Sequence, residues 1–211
     1  MKKIRLFLFA FLLLAVALPS SAKTDAQNAR EAKALFDKVY NLVFGPSGSS
    51  LQYDVNIIGI YKTQGTIIYK GEKLQYQEKR YCAWEDGVTA YMVDKQKKLV
   101  KVYRFDDDEK DEYLSKFKYD INNFDFSYRV VGDNYEITAK VRGAKFFGIR
   151  SVTALVNRKT LHPLSLKIKL AMFSTTVKIS NFKAGGISDS AFKFPRSRFA
   201  GYKYEEHRKD K

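Results

Sequence analysis

The chain is poor in the residues that form disulfides and most catalytic centres. Its 211 residues include one cysteine, Cys82, and two histidines, His162 and His207. A single cysteine excludes an intramolecular disulfide, and we expect Cys82 to be a small buried hydrophobic side chain. His162 stands beside Pro163 in a predicted turn and His207 lies in a charged tail, so a serine or cysteine nucleophile has no well-placed imidazole base. We therefore expect a binding protein and not an enzyme.

Motifs of metal and cofactor enzymes are also missing. The sequence has no CxxC, no HExxH, no phosphate-binding glycine loop and no GxSxG. The acidic run at residues 106–112 lacks the glycine and the terminal bidentate glutamate of a calcium loop. These acids flank the start of a predicted helix, where the helix dipole favours negative charge. We expect neither a metal nor an organic cofactor.

One long apolar run is present, and it lies at the N-terminus. Three basic residues precede an unbroken apolar stretch at residues 6–18, and Ser20 and Ala22 are the small residues that signal peptidase requires. The run is too short to span a bilayer comfortably, which takes about 20 residues. We predict a cleaved signal peptide over residues 1–22 and a single periplasmic domain over residues 23–211.

The charge of the chain is strongly basic. The formal net charge is +15, and the leader holds three of the 38 basic and none of the 23 acidic residues, which leaves +12 on the mature chain. Secretion removes most nucleic-acid partners, so we expect none; anionic membrane surfaces, acidic ligands or a merely solvated surface remain as interpretations. We expect a monomer, with a frayed tail over about residues 203–211.

The periodicity of apolar residues changes once along the mature chain. Spacings of three and four predict an amphipathic helix over residues 25–43, which ends at a Gly-Pro-Ser-Gly cluster. After it the period is two, except for a short second helix predicted around Leu114 and Phe117. We predict strands over residues 51–57, 66–69, 73–84, 89–93, 99–105, 124–130, 135–141, 148–156, 164–172 and 175–182.

The predicted fold is mainly β, in the α+β class. A sheet of about ten strands must curl. If it curls around the two helices without closing, it forms a strongly curved, incomplete antiparallel β-barrel with an N-terminal helix and a short inserted helix as a lid. The concave face would then be an apolar hollow lined by some of the 16 Phe and 14 Tyr residues. Alternatively, these side chains pack against each other and leave no cavity.

Several segments, in their order along the chain, resemble the periplasmic outer-membrane lipoprotein carrier family (LolA-like). These are the glycine-led segment at residues 65–76, the Trp-Glu-Asp-Gly turn at 84–87 with the strands that follow it, and the closing Phe-Lys-Phe-Pro at 192–195. The resemblance implies an incomplete barrel with a helical lid that shields the acyl chains of lipoproteins. The implied partners are acylated lipoproteins, the inner-membrane transporter that releases them and an outer-membrane acceptor.

The chain departs from this family at one position. The family commonly has an Arg-Pro pair after the glycine-led strand, where the arginine helps to hold the lid shut, and here the aligned residues are Lys70 and Gly71. Lysine cannot make the same forked contact. We hypothesise that Lys70 pairs instead with the acidic segment from Asp107 to Glu112.

Two further functions stay open beside the lipoprotein carrier. One is a carrier or sensor of free lipid or glycolipid on the same fold, and the other is a structural, protein-binding module without a cavity. For the cavity lining we choose alternating positions on the strongest strands and the apolar faces of the helices. The chosen residues are Leu35, Val39, Tyr53, Val55, Ile57, Ile67, Leu74, Tyr76, Leu114, Phe117, Leu166, Ile168 and Met172.

Overall fold

The computed structural model of the chain describes residues 24–57, 61–107, 110, 123–143 and 148–208, with the backbone alone at residues 57 and 61. These residues form one α-helix, α1 (Asp25–Phe44), and twelve strands. The strands are β1 (Ser49–Ile57), β2 (Tyr61–Lys70), β3 (Lys73–Glu78), β4 (Tyr81–Glu85), β5 (Thr89–Asp94), β6 (Leu99–Arg104), β7 (Phe124–Val131), β8 (Asn134–Val141), β9 (Ile149–Asn157), β10 (Pro163–Leu170), β11 (Ser174–Ala184) and β12 (Lys203–Glu206). The second predicted helix, with Leu114 and Phe117, lies outside the described residues.

Helix α1 has the ends that its sequence predicts. The Thr24 side chain accepts a hydrogen bond from the backbone N–H of Gln27 at 3.2 Å, which satisfies one free donor of the first turn. The helix stops before Gly45, and Gly48 follows with φ of 75° in a space where a Cβ would lie 2.7 Å from the Tyr69 carbonyl oxygen. Within the described ranges, no helix combines the length and apolar character that a membrane crossing requires.

The twelve strands form one open sheet. Their order is β12-β6-β5-β4-β3-β2-β1-β11-β10-β9-β8-β7, and every neighbouring pair is antiparallel except β12 with β6. The centre of the sheet joins distant parts of the chain, since Val55 of β1 pairs with Val177 of β11. The two edge strands, β12 and β7, do not pair with each other, so the sheet is not a closed barrel.

The contacts of α1 show that the sheet is strongly curved. Phe36 packs against Phe126 of β7 with ring centroids 5.1 Å apart, and Phe44 packs against Tyr69 of β2 at 4.6 Å. In a flat sheet of this order β2 and β7 would be six strand spacings, roughly 29 Å, apart. Phe36 and Phe44 are separated by only roughly 12 Å along the helix axis. The sheet must therefore curl around α1, which confirms the predicted incomplete barrel and the fold that the resemblance implied.

Two predictions about the strands are wrong. The predicted single strand over residues 73–84 is two strands, because the chain reverses at Lys79 and Arg80 between β3 and β4. The tail predicted to fray from residue 203 instead forms β12, in which Tyr204 pairs in parallel with Val100 of β6. Residues 209–211 lie outside the described part of the chain.

The segment before β12 explains why the tail is ordered. It crosses the convex side of β4–β6 and covers a buried cluster that includes Cys82, Trp84 and Phe199. Phe194 stacks on Tyr91 at 4.2 Å and meets Trp84 edge-on at 5.5 Å. The Cys82 side chain is 1% exposed, which confirms the predicted small buried side chain, and this burial raises the pKa of its thiol. The C-terminal segment is thus a core element of the fold.

We expect Phe199→Ala to lower the free energy of unfolding by about 3–5 kcal/mol, since a Phe side chain that is 2% exposed would be replaced by a cavity. Urea denaturation measures the change. Phe173→Ala is the matched control, because that ring is 44% exposed and its removal should cost at most about 0.5 kcal/mol. Equal effects of the two substitutions would show that the C-terminal segment does not belong to the core.

Candidate functional site

The concave face of the sheet, which α1 covers in part, collects most of the predicted lining residues. Strand register decides this, because residues paired across neighbouring strands point to the same face. Leu51 pairs with Ile67, and Ile67 pairs in turn with Tyr76. Leu166 and Val55 both pair with Val177. The face thereby contains Tyr53, Val55, Ile67, Leu74, Tyr76, Leu166 and Ile168.

The predicted helix residues lie on the matching side of α1. Leu35 and Val39 are half-buried and share a helical stripe with Ala32 and Val43, which are both buried. The stripe follows the spacing of three and four from which the helix was predicted. Helix and sheet thus turn apolar surfaces toward each other.

The middle of the concave face is apolar but only half-buried. Val55, Val177, Leu166 and Ala154 form one row across β1, β11, β10 and β9, which we call the apolar row. All four side chains are half-buried. Closer to β7, where α1 packs, Ile137 of β8 is 2% exposed on the same face. Apolar side chains in the centre of the sheet therefore remain accessible from the concave side.

Gly65 leaves room for an aromatic side chain on the concave face. Gly65 pairs with Tyr53, and a Cβ at this position would lie 2.9 Å from the Tyr53 hydroxyl and 2.5 Å from the Gln77 carbonyl oxygen. The Tyr53 ring therefore lies across β2, and its hydroxyl donates a hydrogen bond to a Glu78 carboxylate oxygen on β3. The glycine that opens the family-like segment thus lets a long aromatic side chain lie flat along the sheet.

The other four predicted lining residues are not among the side chains described on this face. The prediction that Met172 lines the cavity is wrong. Strand β10 ends at Leu170 after a register irregularity, and Met172 lies in the hairpin turn with 84% of its surface exposed. Ile57 is the last residue of β1, and its side chain lies outside the described part of the chain, as do Leu114 and Phe117.

The predicted partner of Lys70 is wrong for the described residues. Lys70 follows Tyr69 by one position and so points to the convex side, where its ammonium group lies 3.0 Å from Asp189 Oδ1 in the C-terminal segment. Lys73 adds a second contact to Asp189 at 3.1 Å. Hydrogen bonds from Lys70 and Lys73 hold the pKa of the Asp189 carboxyl below its usual range. Of the other two members of the hypothesis, Asp107 is described and Glu112 lies outside the described residues.

A different ion pair reaches the concave side. Lys110 Nζ lies 2.6 Å from Glu85 Oε2, and the two side chains are 16% and 10% exposed. The same ammonium group lies 4.2 Å from the ring centre of Phe105. The pKa of the Tyr69 hydroxyl is raised, mainly by burial and to a lesser extent by the nearby Glu85 carboxylate. This pair ties Lys110 to β4.

The contact that fixes the start of α1 has no counterpart among the sequence predictions. The Asn28 side-chain amide donates to the Tyr128 carbonyl oxygen at 2.8 Å and accepts from the Tyr128 backbone N–H at 3.0 Å. The Tyr128 hydroxyl also donates to Glu31 at 2.6 Å. An asparagine one turn into a helix has no periodic signal, so only the structure reveals that it caps the edge strand β7.

Other features of the surface do not extend this site. A depression of about 300 Å³ lies at the turns that follow β7 and β9, and its lining residues Asp133, Tyr135, Arg158 and Lys159 are mostly charged. Among the described residues, no group of three or more histidine, cysteine, aspartate or glutamate side chains lies close enough to hold a metal ion.

Comparison with solved structures shows the fold alone. The chain is similar to an uncharacterized conserved protein from Thermus thermophilus, with a TM-score of 0.56 and 6% identity over 84% of this chain and 99% of that one. A putative outer membrane lipoprotein-sorting protein domain from Vibrio parahaemolyticus aligns with a TM-score of 0.44 and 9% identity over 82% and 99% of the two chains. A LolA superfamily protein from Nitrosomonas europaea aligns at 0.29 and 8% over 77% and 97%. No protein-family model and no curated protein sequence matches the chain.

We expect Lys110→Met to lower the free energy of unfolding by about 3–5 kcal/mol, because it leaves the Glu85 carboxylate buried without a counter-charge. The double variant Lys110→Met/Glu85→Met should recover most of that loss, since it buries no charge. Both changes are measured by chemical denaturation.

The control for the buried pair is Lys33→Met, which removes an exposed helical ion pair with Asp37. It should cost at most about 0.5 kcal/mol. A Lys110→Met variant as stable as the wild type would contradict a buried, stabilising pair.

Proposed function

We propose that the protein is a periplasmic carrier that shields the acyl chains of lipoproteins on its concave face and ferries them from the inner to the outer membrane. The observation that carries the proposal is the apolar row, in which four side chains at the centre of the sheet remain half-buried. Contiguous apolar surface that stays accessible is typical of ligand-binding grooves. An acyl chain supplies the missing apolar contact.

The energetics of acyl burial suit a carrier. Each methylene removed from water contributes about 0.8 kcal/mol, so a few methylenes against the apolar row already give useful affinity. The row is flanked on the same face by Ile67 and Ile168, which extends the apolar surface along the strands. An open sheet keeps one side of this surface accessible, so that a ligand can enter and leave without unfolding of the sheet.

The absence of catalytic motifs in the sequence and the apolar character of the concave face favour a binding protein over an enzyme. The leader-like N-terminus supports a periplasmic location for the proposed function. By the same proposal the partners are acylated lipoproteins, an inner-membrane transporter that hands them over and an outer-membrane acceptor. The protein would act as a monomer with no cofactor.

We expect Val177→Trp to weaken binding of a fluorescent palmitoyl probe by at least about tenfold. The indole would occupy the centre of the apolar row and displace at least two methylenes, each contributing about 0.8 kcal/mol. Thr176→Trp is the matched control: it is the neighbouring residue on β11, it faces the convex side and it is exposed. Fluorescence titration measures both affinities, and thermal unfolding checks that both variants fold. Equal affinity of the two variants would remove the concave face as the binding site.

The identity of the ligand is tested by native mass spectrometry of the mature protein purified from its own periplasm. An adduct with the mass of a triacylated lipoprotein supports the carrier proposal. A free phospholipid or glycolipid adduct contradicts it in favour of a free-lipid carrier. A bare protein that also fails to bind the palmitoyl probe would contradict both and leave a protein-binding module.

A further inference from the structure

The two ends of the sheet carry different charges. The turns β3–β4, β5–β6 and β10–β11 lie at one end, which we call the tip end, because alternate connections of an antiparallel sheet share an end. The turns β2–β3, β4–β5, β7–β8 and β9–β10 lie at the opposite end. The tip end is basic, with exposed side chains at Lys79, Lys97, Lys98, Lys140, Arg150, Lys167 and Lys169. The opposite end carries acids as well, at Glu72, Asp86, Asp106, Asp133 and Asp189.

Two acidic groups at the tip end are paired with arginines of the same end. Asp94 accepts from the Arg80 guanidinium at 2.8 Å, and Asp125 accepts from Arg142 at 2.6 Å. By contrast, Lys167 and Lys169 form no ion pair with another described residue. They stand on the convex face of β10 beside Thr176 and Ser174 of β11. The positive charge of the tip end is therefore available to a partner.

An exposed apolar turn lies within this basic end. The β10–β11 hairpin is closed by a hydrogen bond of 2.9 Å from the Leu170 N–H to the Phe173 carbonyl oxygen. Met172, in the turn itself, is 84% exposed, and Phe173, which closes the turn opposite Leu170, is 44% exposed. Hairpin turns in water favour glycine, asparagine and aspartate, so a methionine in the turn and an exposed phenylalanine beside it indicate an apolar partner.

We propose that the tip end docks on a bilayer surface that contains anionic headgroups, with Met172 and Phe173 inserted at the boundary of headgroups and acyl chains. Met172 and Phe173, which we call the apolar wedge, are accompanied by lysines, and this combination suits the boundary. There the apolar residues leave water while the ammonium groups bind phosphates. An acidic protein or a nucleic acid would match the lysines but would leave the apolar wedge in water. The docking does not depend on what the concave face binds.

The test is co-sedimentation of the mature protein with phosphatidylcholine vesicles, with and without phosphatidylglycerol. The wild type should bind the vesicles that contain phosphatidylglycerol more tightly. Lys167→Gln/Lys169→Gln should lower that partition coefficient about 25-fold, from about fivefold for each lysine. Met172→Ser/Phe173→Ser should lower it at least about tenfold, because both side chains lose their burial in the bilayer.

The opposite end of the sheet supplies matched controls. Lys159→Gln/Lys183→Gln changes the net charge equally, and Val88→Ser removes an apolar side chain that is 76% exposed in the β4–β5 turn. Neither control should change the partition coefficient by more than about twofold. The proposal is overturned if the wild type binds neither kind of vesicle, if phosphatidylglycerol makes no difference, or if the controls weaken binding as much as the tip-end variants. All substituted residues are exposed, so the variants should fold, which thermal unfolding verifies.

Discussion

The structure depends on the span of one helix between two separated strands. Phe36 and Phe44 of α1 contact β7 and β2, which are six positions apart in the sheet. Both contacts form only when the sheet bends, and the bend creates a concave side on which the strands between them cannot all touch the helix. The apolar row stays half-buried because α1 is narrower than the concave side of the sheet and cannot cover all of it.

The two parts of the sheet differ in how many of their faces are covered. In β4–β6 the C-terminal segment covers the convex side, where Trp84 and Phe199 lie, while Ala83 on the concave side is also buried. In β8–β11 the convex side is polar and open to water, as Lys167 and Lys178 show. Stability is therefore concentrated in the half with two covered faces. The other half can leave apolar surface accessible without a large loss of total stability.

Sequence periodicity predicted most of the elements, and it failed where contacts are distant or the strand is irregular. Strict alternation in β1 and β10 gave the correct face for Tyr53 and Leu166. It failed for Met172, because the alternation in the sequence continues past the end of the strand. The partner of Lys70 is Asp189, a pairing across most of the chain that no local pattern encodes. The aromatic residues near Phe199 have no regular period, so their burial was visible only in three dimensions.

The position of β1 at the centre of the sheet has a consequence for the order of folding. Its neighbour on one side is β2, which follows directly, but its neighbour on the other side is β11, so Val55 must find Val177. Bringing Val55 and Val177 together closes a long loop, which costs conformational entropy before the new contacts can offset it. Folding rates fall as contacts become less local in the sequence. The halves β1–β6 and β7–β11 consist of local hairpins that can form early. We expect their joining along the β1–β11 seam, together with the return of β12 to β6, to be the slow step of folding, because it requires nearly the whole chain to be present.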